Sequence, residues 1–270
     1  MTRPILFLSD FGLDDEYVGL CHAVMARVAP GSRVIDLHHG IPPQDVTTGA
    51  LTLAQAVPYA PEDAVYLAVV DPGVGTRRRG IAVDAGPGAL VGPDNGVLTL
   101  AVDALGGARR AVALEPGRVV PWPVSDTFHG RDVFAPAAAR LASGVDLDEV
   151  GEEIDVDTLS DLLVGEPLVE DGRVATTVMG VDRFGNVRLG ARPEELERAG
   201  LSGHELTLLR GGAPVSVVRA RTFGELEPPA FGLLVDSAGW LAVVRVGGSA
   251  AEALGLSAGD PVELGSPRVG

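Results

Sequence analysis

The strongest constraint on the fold is an alternation at the start of the chain: short runs of β-forming residues, each followed by a longer stretch with apolar residues at helical spacing. Ile5–Leu8, Val34–Leu37 and Val65–Val70 are predicted strands, and Glu16–Val28 and Thr47–Val57 predicted helices, a βαβαβ pattern. The run Val65-Tyr66-Leu67-Ala68-Val69-Val70 is apolar on both faces. That suits a parallel strand covered by helices on either side better than a half-exposed edge strand. The expected architecture is α/β, with a doubly wound, mostly parallel sheet. Ile81–Val83 and Leu90–Val91 read as further strands, and Gly96–Leu105 and Asp132–Ala142 as further helices.

Past Ser143 the chain turns acidic and loses its periodicity, through Asp146, Asp148, Glu149, Glu152, Glu153, Asp155, Asp157 and Asp161. A connection between domains is expected there. The expected division is an N-terminal α/β domain over 1–157, a linker over 158–172 and a smaller domain over 173–270. In the last stretch, strands separated by Gly, Pro and Asp are predicted at Val174–Val181, Glu205–Leu209, Val215–Arg219, Leu233–Val235, Leu241–Val246 and Val262–Leu264. Only Pro193–Ala199, with proline suited to a first helical turn, reads as helix. This part is a small β-barrel or sandwich by its pattern.

Composition narrows the chemistry. The 270 residues carry a formal charge of -16, which argues against nucleic acid as a partner, because phosphate binding relies on clustered cations. A cationic or neutral ligand fits better. Every basic residue is arginine and there is no lysine, which removes a Walker-type phosphate clamp, a Schiff base to pyridoxal phosphate and a lysine general base. Cys21 is the one cysteine, so neither an intramolecular disulfide nor a cysteine-cage metal site is expected. No apolar run approaches the ~20 residues of a membrane span, and Ile5–Leu8 is too short for a signal-peptide core. A soluble, cytoplasmic protein with no membrane partner is expected.

In open parallel sheets ligands bind outside the carboxyl ends of the strands, and the residues after each predicted strand are polar. Ser9-Asp10-Phe11-Gly12-Leu13-Asp14-Asp15 follows the first, His38-His39-Gly40 the second, and Asp71-Pro72-Gly73-Val74-Gly75-Thr76-Arg77-Arg78-Arg79 the third. Gly92-Pro93-Asp94-Asn95-Gly96 and Asp126-Thr127-Phe128-His129-Gly130-Arg131-Asp132 supply two more turns. Singly, each has an ordinary explanation, since Asp, Gly, Pro and Asn are what turns and caps use. Pro93–Gly96 is the clearest structural turn, with Asp94 placed to bond its backbone. Of Arg77, Arg78 and Arg79, at most one is expected to reach a site, the rest pairing with carboxylates. Asp10, Asp14, Asp15, His38, His39 and His129 are ligand-type residues, but their spacings match no metal signature, so no metal is expected.

Taken together, Ser9-Asp10-Phe11-Gly12, Val69–Thr76, Gly92–Gly96, Phe128-His129-Gly130-Arg131-Asp132 and Asp182-Arg183-Phe184-Gly185-Asn186 closely resemble the S-adenosyl-L-methionine hydroxide adenosyltransferases, hydrolytic relatives of the fluorinases and chlorinases. The resemblance spans nearly the whole chain in order. It implies cleavage of S-adenosyl-L-methionine by water to adenosine and L-methionine, without a cofactor, in an N-terminal α/β domain and a C-terminal β-barrel. It further implies a homotrimer with substrate held between subunits. The family's water-activating trio maps onto Asp71, Arg78 and His129, with the roles of Asp71 and His129 interchangeable. Asp10 matches the residue that accepts hydrogen bonds from the ribose hydroxyls, as a carboxylate suits a vicinal diol. Asp15 lies at the methionine end, and Phe128 joins the substrate-contact residues. In the barrel, Asp182 and Ser237 match residues near the amino-acid moiety, Asn186 and Phe223 adenine contacts, and Arg245 and Gly247 a segment lining the adenine.

Departures matter as well. By the same resemblance, halogenating relatives carry a tyrosine where this chain has Asp71 and another at the His129 position, a serine at the Gly130 position, and an inserted loop where Gly86-Pro87-Gly88 is compact. A buried aspartate repels a halide, so no halogenase activity is expected. Ala238 stands where the fluorinase has an arginine, which leaves the methionine carboxylate without its family partner. Two alternatives remain at this stage: a metal-dependent nucleotide phosphatase, suggested by a strand ending in an Asp-rich turn, and a non-catalytic nucleoside or S-adenosyl-L-methionine sensor.

Overall fold

The strand Val65–Val69 is buried along its whole length, and its side chains alternate between two cores. Val65, Leu67 and Val69 join one cluster with Ile5, Phe7, Val91 and Val112, while Tyr66, Ala68 and Val70 join another with Leu6, Leu8, Ile81 and Leu90. A period of two with both faces apolar is what a sheet covered on both sides requires. The computed structural model describes residues 2–162, 165–211 and 213–267. The chain divides into two units, Met1–Leu163 and Val164–Gly270, the division falling within the 158–172 segment.

The first unit holds strands β1 (Ile5–Ser9), β2 (Val34–His38), β3 (Val65–Val69), β4 (Gly80–Asp84), β5 (Ala89–Pro93), β6 (Arg110–Leu114) and β7 (Gly151–Ile154), in the sheet order β2-β1-β3-β5-β4-β6-β7. Pairings from β2 to β5 are parallel and those from β5 to β7 antiparallel, so only β4 and β7 run against the other five. Helices α1 (Tyr17–Val28), α2 (Val46–Ala56), α3 (Thr99–Ala104), α4 (Pro116–Val119) and α5 (Ala135–Ala142) cover it. Residues of α1, α4 and α5 enter the first core, and residues of α2 and α3 the second. The doubly wound sheet is thus present.

Three local expectations change. The segment read as helix from Gly96 begins only at Thr99, because Asn95 Oδ1 accepts the Val97 N–H and the first residues are spent on a turn. The helix read from Asp132 is preceded by a π-type turn over Gly130–Phe134, in which the Ala135 N–H reaches back to Gly130 O. The acidic tract, read as a connection, contributes β7, whose Gly-Glu-Glu-Ile sequence lacks the alternation that marks a strand. Gly151 is where β7 approaches β6 most closely. A Cβ there would stand 2.1 Å from the Ala113 carbonyl oxygen, a backbone atom with no freedom to turn aside. Gly151→Ala is therefore expected to cost about 1–3 kcal/mol, the usual range for overpacking. The check is a lower urea midpoint at unchanged m-value.

The second unit contains β8 (Leu168–Glu170), β9 (Arg173–Val181), β10 (Val187–Leu189), β11 (Glu205–Arg210), β12 (Ala213–Arg219), β13 (Phe231–Val235), β14 (Leu241–Arg245) and β15 (Pro261–Gly265). The order β10-β14-β13-β12-β11-β15-β9 closes when β9 pairs with β10, giving a seven-stranded barrel with β8 appended to β9. Closure removes the exposed edges that an open sheet this short would leave. Its interior is filled by Val174, Leu189, Leu208, Val217, Val243 and Leu264, among others. The expectation of a single helix here is corrected. Besides α6 (Pro193–Arg198), the chain forms α7 (Ala250–Leu254), whose first turn is capped by Ser249 Oγ accepting the Glu252 N–H.

Candidate active site

The parallel strands β1, β2, β3 and β5 deliver four polar loops to their shared carboxyl end, and hydrogen bonds stitch these together. Asp10 N–H donates to Val69 O at 3.3 Å, and Gly12 N–H to His39 O at 2.7 Å. Asn95 Nδ2 donates to Val70 O at 2.9 Å, tying the Pro93–Gly96 turn to the residue before Asp71.

At this end Arg78 bridges two other side chains. Its Nε donates to Asp71 Oδ1 at 2.7 Å and its Nη2 to Asp71 Oδ2, a bidentate pair; Nη2 also lies 3.0 Å from His129 Nδ1. Asp71 and Arg78 are nearly out of water, at 7% and 12% side-chain exposure. The Phe134 ring lies 5.0 Å from the guanidinium carbon and 6.5 Å, edge to face, from the His129 ring. The loops carrying the two ends meet at Gly75, whose φ of +75° is in the left-handed region and whose Cβ, if present, would be 2.8 Å from Asp126 O. Only glycine suits both demands.

The hydrogen bonds fix the imidazole's protonation. A guanidinium has no acceptor, so His129 Nδ1 must accept from Arg78, and a neutral ring then carries its proton on Nε2. Burial, followed by the Arg78 charge, holds the His129 pKa below the 6.5 of an unperturbed imidazole, despite the opposing carboxylates of Asp71, Asp126 and Asp132. The cluster thus sets a carboxylate and a guanidinium beside a neutral imidazole with an N–H to offer.

Asp10 is no helix cap. Its Oδ2 accepts the Gln44 N–H at 2.9 Å, and burial raises its pKa, with a smaller push from the Asp71 charge. Its backbone N–H, donating to Val69 O, sets it beside the strand end that leads into Asp71. Asp15 is exposed. Phe128 packs edge-on against Phe11 and Tyr17, at 5.8 and 5.1 Å between centroids, under the Arg131 guanidinium at 4.8 Å. Asp94 takes the structural part expected of its turn by a different route. It pairs with Arg79 and accepts the Ser160 N–H instead of bonding its own turn. Arg78 and Arg79 are thus both carboxylate-paired, and Arg77 is exposed.

In the barrel unit, Asp182 Oδ1 accepts the Phe184 and Asn186 N–H groups, and Oδ2 the Asn186 side-chain amide, so these two candidates bond each other in the β9–β10 turn. Arg245 ends β14 and Gly247 follows it, at the end where Phe231 begins β13, and the loop bearing Phe223 leads into that same end. Phe223 is exposed, which excludes a core role. Ser237 lies on the β13–β14 turn, at the opposite end of the hairpin. Five residues of strand, roughly 16 Å, separate it from Arg245.

Sequence reasoning missed Phe134 and Asn95 as site-building residues. Phe134 sits at helical spacing and reads as core; the signal that could have found it is the Gly-Arg-Asp-Val-Phe segment directly after His129, which forms the π-type turn. The six ligand-type residues weighed for a metal do not gather. The group that does, among the described residues, is His22, Asp36 and His39.

Comparison with known proteins gives the same picture for the whole chain. Residues 5–151 match the SAM hydroxide adenosyltransferase N-terminal domain, and residues 176–263 the SAM hydroxide adenosyltransferase C-terminal domain. A protein of Salinispora tropica named (R)-S-adenosyl-L-methionine hydrolase is 51% identical over 97% of this chain and 98% of its own. Its namesake from Thermus thermophilus is 48% identical over 97% and 99%. The crystal structure of an uncharacterized conserved protein from Thermotoga maritima superposes with a TM-score of 0.89 at 33% identity, covering 96% of this chain and 99% of that one.

Proposed function

The chain belongs to the SAM hydroxide adenosyltransferase family, and from that premise we infer that it is an enzyme that hydrolyses S-adenosyl-L-methionine to adenosine and L-methionine, with Asp71, Arg78 and His129 preparing the water. The observation that carries the reading is the Arg78 guanidinium shared between a buried carboxylate and an imidazole. Water attacks the ribose C5′ in line with the departing sulfonium. The C–S electron pair leaves on sulfur as neutral methionine, and one proton is released from the water. The leaving group needs no acid. What the reaction lacks is a nucleophile, and the cluster supplies groups suited to that.

Roles follow from the hydrogen-bond inventory. His129 Nδ1 is occupied by Arg78, so the imidazole offers water a donor, Nε2–H, and not a base. Each Asp71 oxygen keeps a lone pair beyond the one Arg78 uses, and Asp71 is the proton acceptor. Arg78 holds both partners in register and stabilises the developing hydroxide charge. General-base help is worth about 10²–10⁴ in rate. The remaining acceleration comes from aligning water, carbon and sulfur in a dry site. No step passes through a metal or an organic cofactor, and a halide in the water's place would face the Asp71 carboxylate.

Asp10 accepts the ribose hydroxyls, with Asp15 and Phe128 nearby on the substrate. Asn186, Phe223, Arg245 and Gly247 serve the adenine, and Asp182 and Ser237 the amino-acid moiety. We also assign the family's homotrimer, with substrate held between subunits; light scattering at three times the 27.8 kDa chain mass checks it. The phosphatase alternative is not supported by the relatives, which over nearly the whole chain are named S-adenosyl-L-methionine hydrolases.

The test is chromatography of the reaction with each sulfonium epimer, since the relatives are named for the R form. Equimolar adenosine and methionine are expected. Survival of turnover in the combined Asp71→Asn, Arg78→Ala, His129→Ala variant would place the chemistry elsewhere. A pH profile adds a second check. His129 is neutral until pH falls below its depressed pKa, so the acid limb of kcat is expected below pH 6.5. Stability has the same sign, because the unfolded imidazole takes up its proton first and draws the chain toward unfolding as pH falls through 6.5.

A further inference from the structure

On the α1 and β2 side of the sheet, away from Arg78, three side chains of metal-binding type converge. His22 of α1 and His39, one residue past β2, bring their Nε2 atoms to Oδ1 of Asp36 on β2, at 2.8 and 3.0 Å. The three atoms lie within 4.8 Å of one another. A hydrogen bond accounts for His22 and Asp36, which are partly exposed. It does not account for His39, whose imidazole is 4% exposed and whose buried Nε2 lies close to the carboxylate but off the line of a hydrogen bond. A buried polar atom left without a partner calls for an explanation, and an unfilled ligand position is one.

We propose that His22, Asp36 and His39 form a binding site for a divalent transition-metal ion of the zinc class, held through both Nε2 atoms and Oδ1 with water as fourth ligand. Two imidazoles and one carboxylate select zinc or cobalt over calcium and magnesium, which take oxygen ligands. Tetrahedral zinc with bonds of about 2.0–2.1 Å sets its ligand atoms roughly 3.3 Å apart. The two separations from Asp36 Oδ1 need open by only a few tenths of an ångström, and the two Nε2 atoms, within 4.8 Å of each other, complete the triangle. His22 and Asp36 have that freedom and leave the ion a route from solvent. The support behind His39 is in place, because its Nδ1 lies 2.8 Å from Ser9 Oγ, which fixes the ring and leaves Nε2 free to coordinate. Phe7 walls the site, edge-on to His39 at 4.6 Å.

The site lies outside the hydrolytic chemistry and does not rest on that reading. Its consequence is mechanical: the ion clamps α1 to β2. The experiment titrates zinc and cobalt into the full chain made without a histidine tag. One ion per chain, visible bands of tetrahedral cobalt and a Tm that rises with zinc are expected. His22→Ala and Asp36→Asn should each weaken binding at least tenfold and abolish the zinc-dependent Tm shift, and Ser9→Ala should weaken it about 10–100-fold. Circular dichroism confirms that each variant is folded. Binding well below one ion per chain, or binding unchanged in both His22→Ala and Asp36→Asn, overturns the site. Adenosine release, measured separately, should be unchanged in His22→Ala.

Discussion

Asp71→Asn is expected to lower kcat for S-adenosyl-L-methionine hydrolysis by about 10²–10⁴ while KM changes only a few fold, because the lost function is exercised on the water and not on the bound sulfonium. The amide keeps the side chain's volume and one acceptor, so Arg78 Nε retains a partner in place of the bond now 2.7 Å long. The other end of the amide turns an N–H₂ toward Arg78 Nη2, donor against donor, and the guanidinium loses half of its bidentate grip. With no carboxylate to take a proton and His129 restricted to donating, no group of the cluster can act as base. Steady-state kinetics with folded protein checks this, and a kcat within tenfold of the wild type would remove Asp71 from the role of acceptor.

The βαβαβ start was legible because Val65–Val70 is apolar on both faces and long enough for that to be seen. β8 and β10 are three residues each, too short to display a period, and β7 is half glutamate. β7 and β10 also pair with strands far along the chain, β6 and β14, while β8 pairs only with the adjacent β9. Motif resemblance found Asp71, Arg78 and His129, but spacing says nothing of how one guanidinium divides its donors, and that division settles which residue can act as base. The His22, Asp36 and His39 grouping was the least visible. Its members come from a helix, the middle of a strand and the residue past that strand's end, and only His39 was among the ligand-type residues that the loops suggested.

Arg78→Ala should produce the largest combined change, a loss of stability together with a loss of rate. Removing one partner of a buried ion pair leaves the other unpaired, at a cost of about 3–5 kcal/mol, and Asp71, at 7% side-chain exposure, has little water to turn to. The Phe134 ring also loses the guanidinium above it. The rate should drop about 10²–10³ from the missing charge at the developing hydroxide alone. A further signature separates this from simple loosening. Arg78 is the second cause of the depressed His129 pKa after burial, so its removal should move the imidazole's titration, followed by NMR, up toward 6.5. Arg78→Lys should restore part of that electrostatic effect but not the rate, since an ammonium cannot hold Asp71 by two parallel bonds and still reach Nδ1 of His129. If lysine restores turnover in full, the bridging geometry is not what prepares the water, and charge alone is enough.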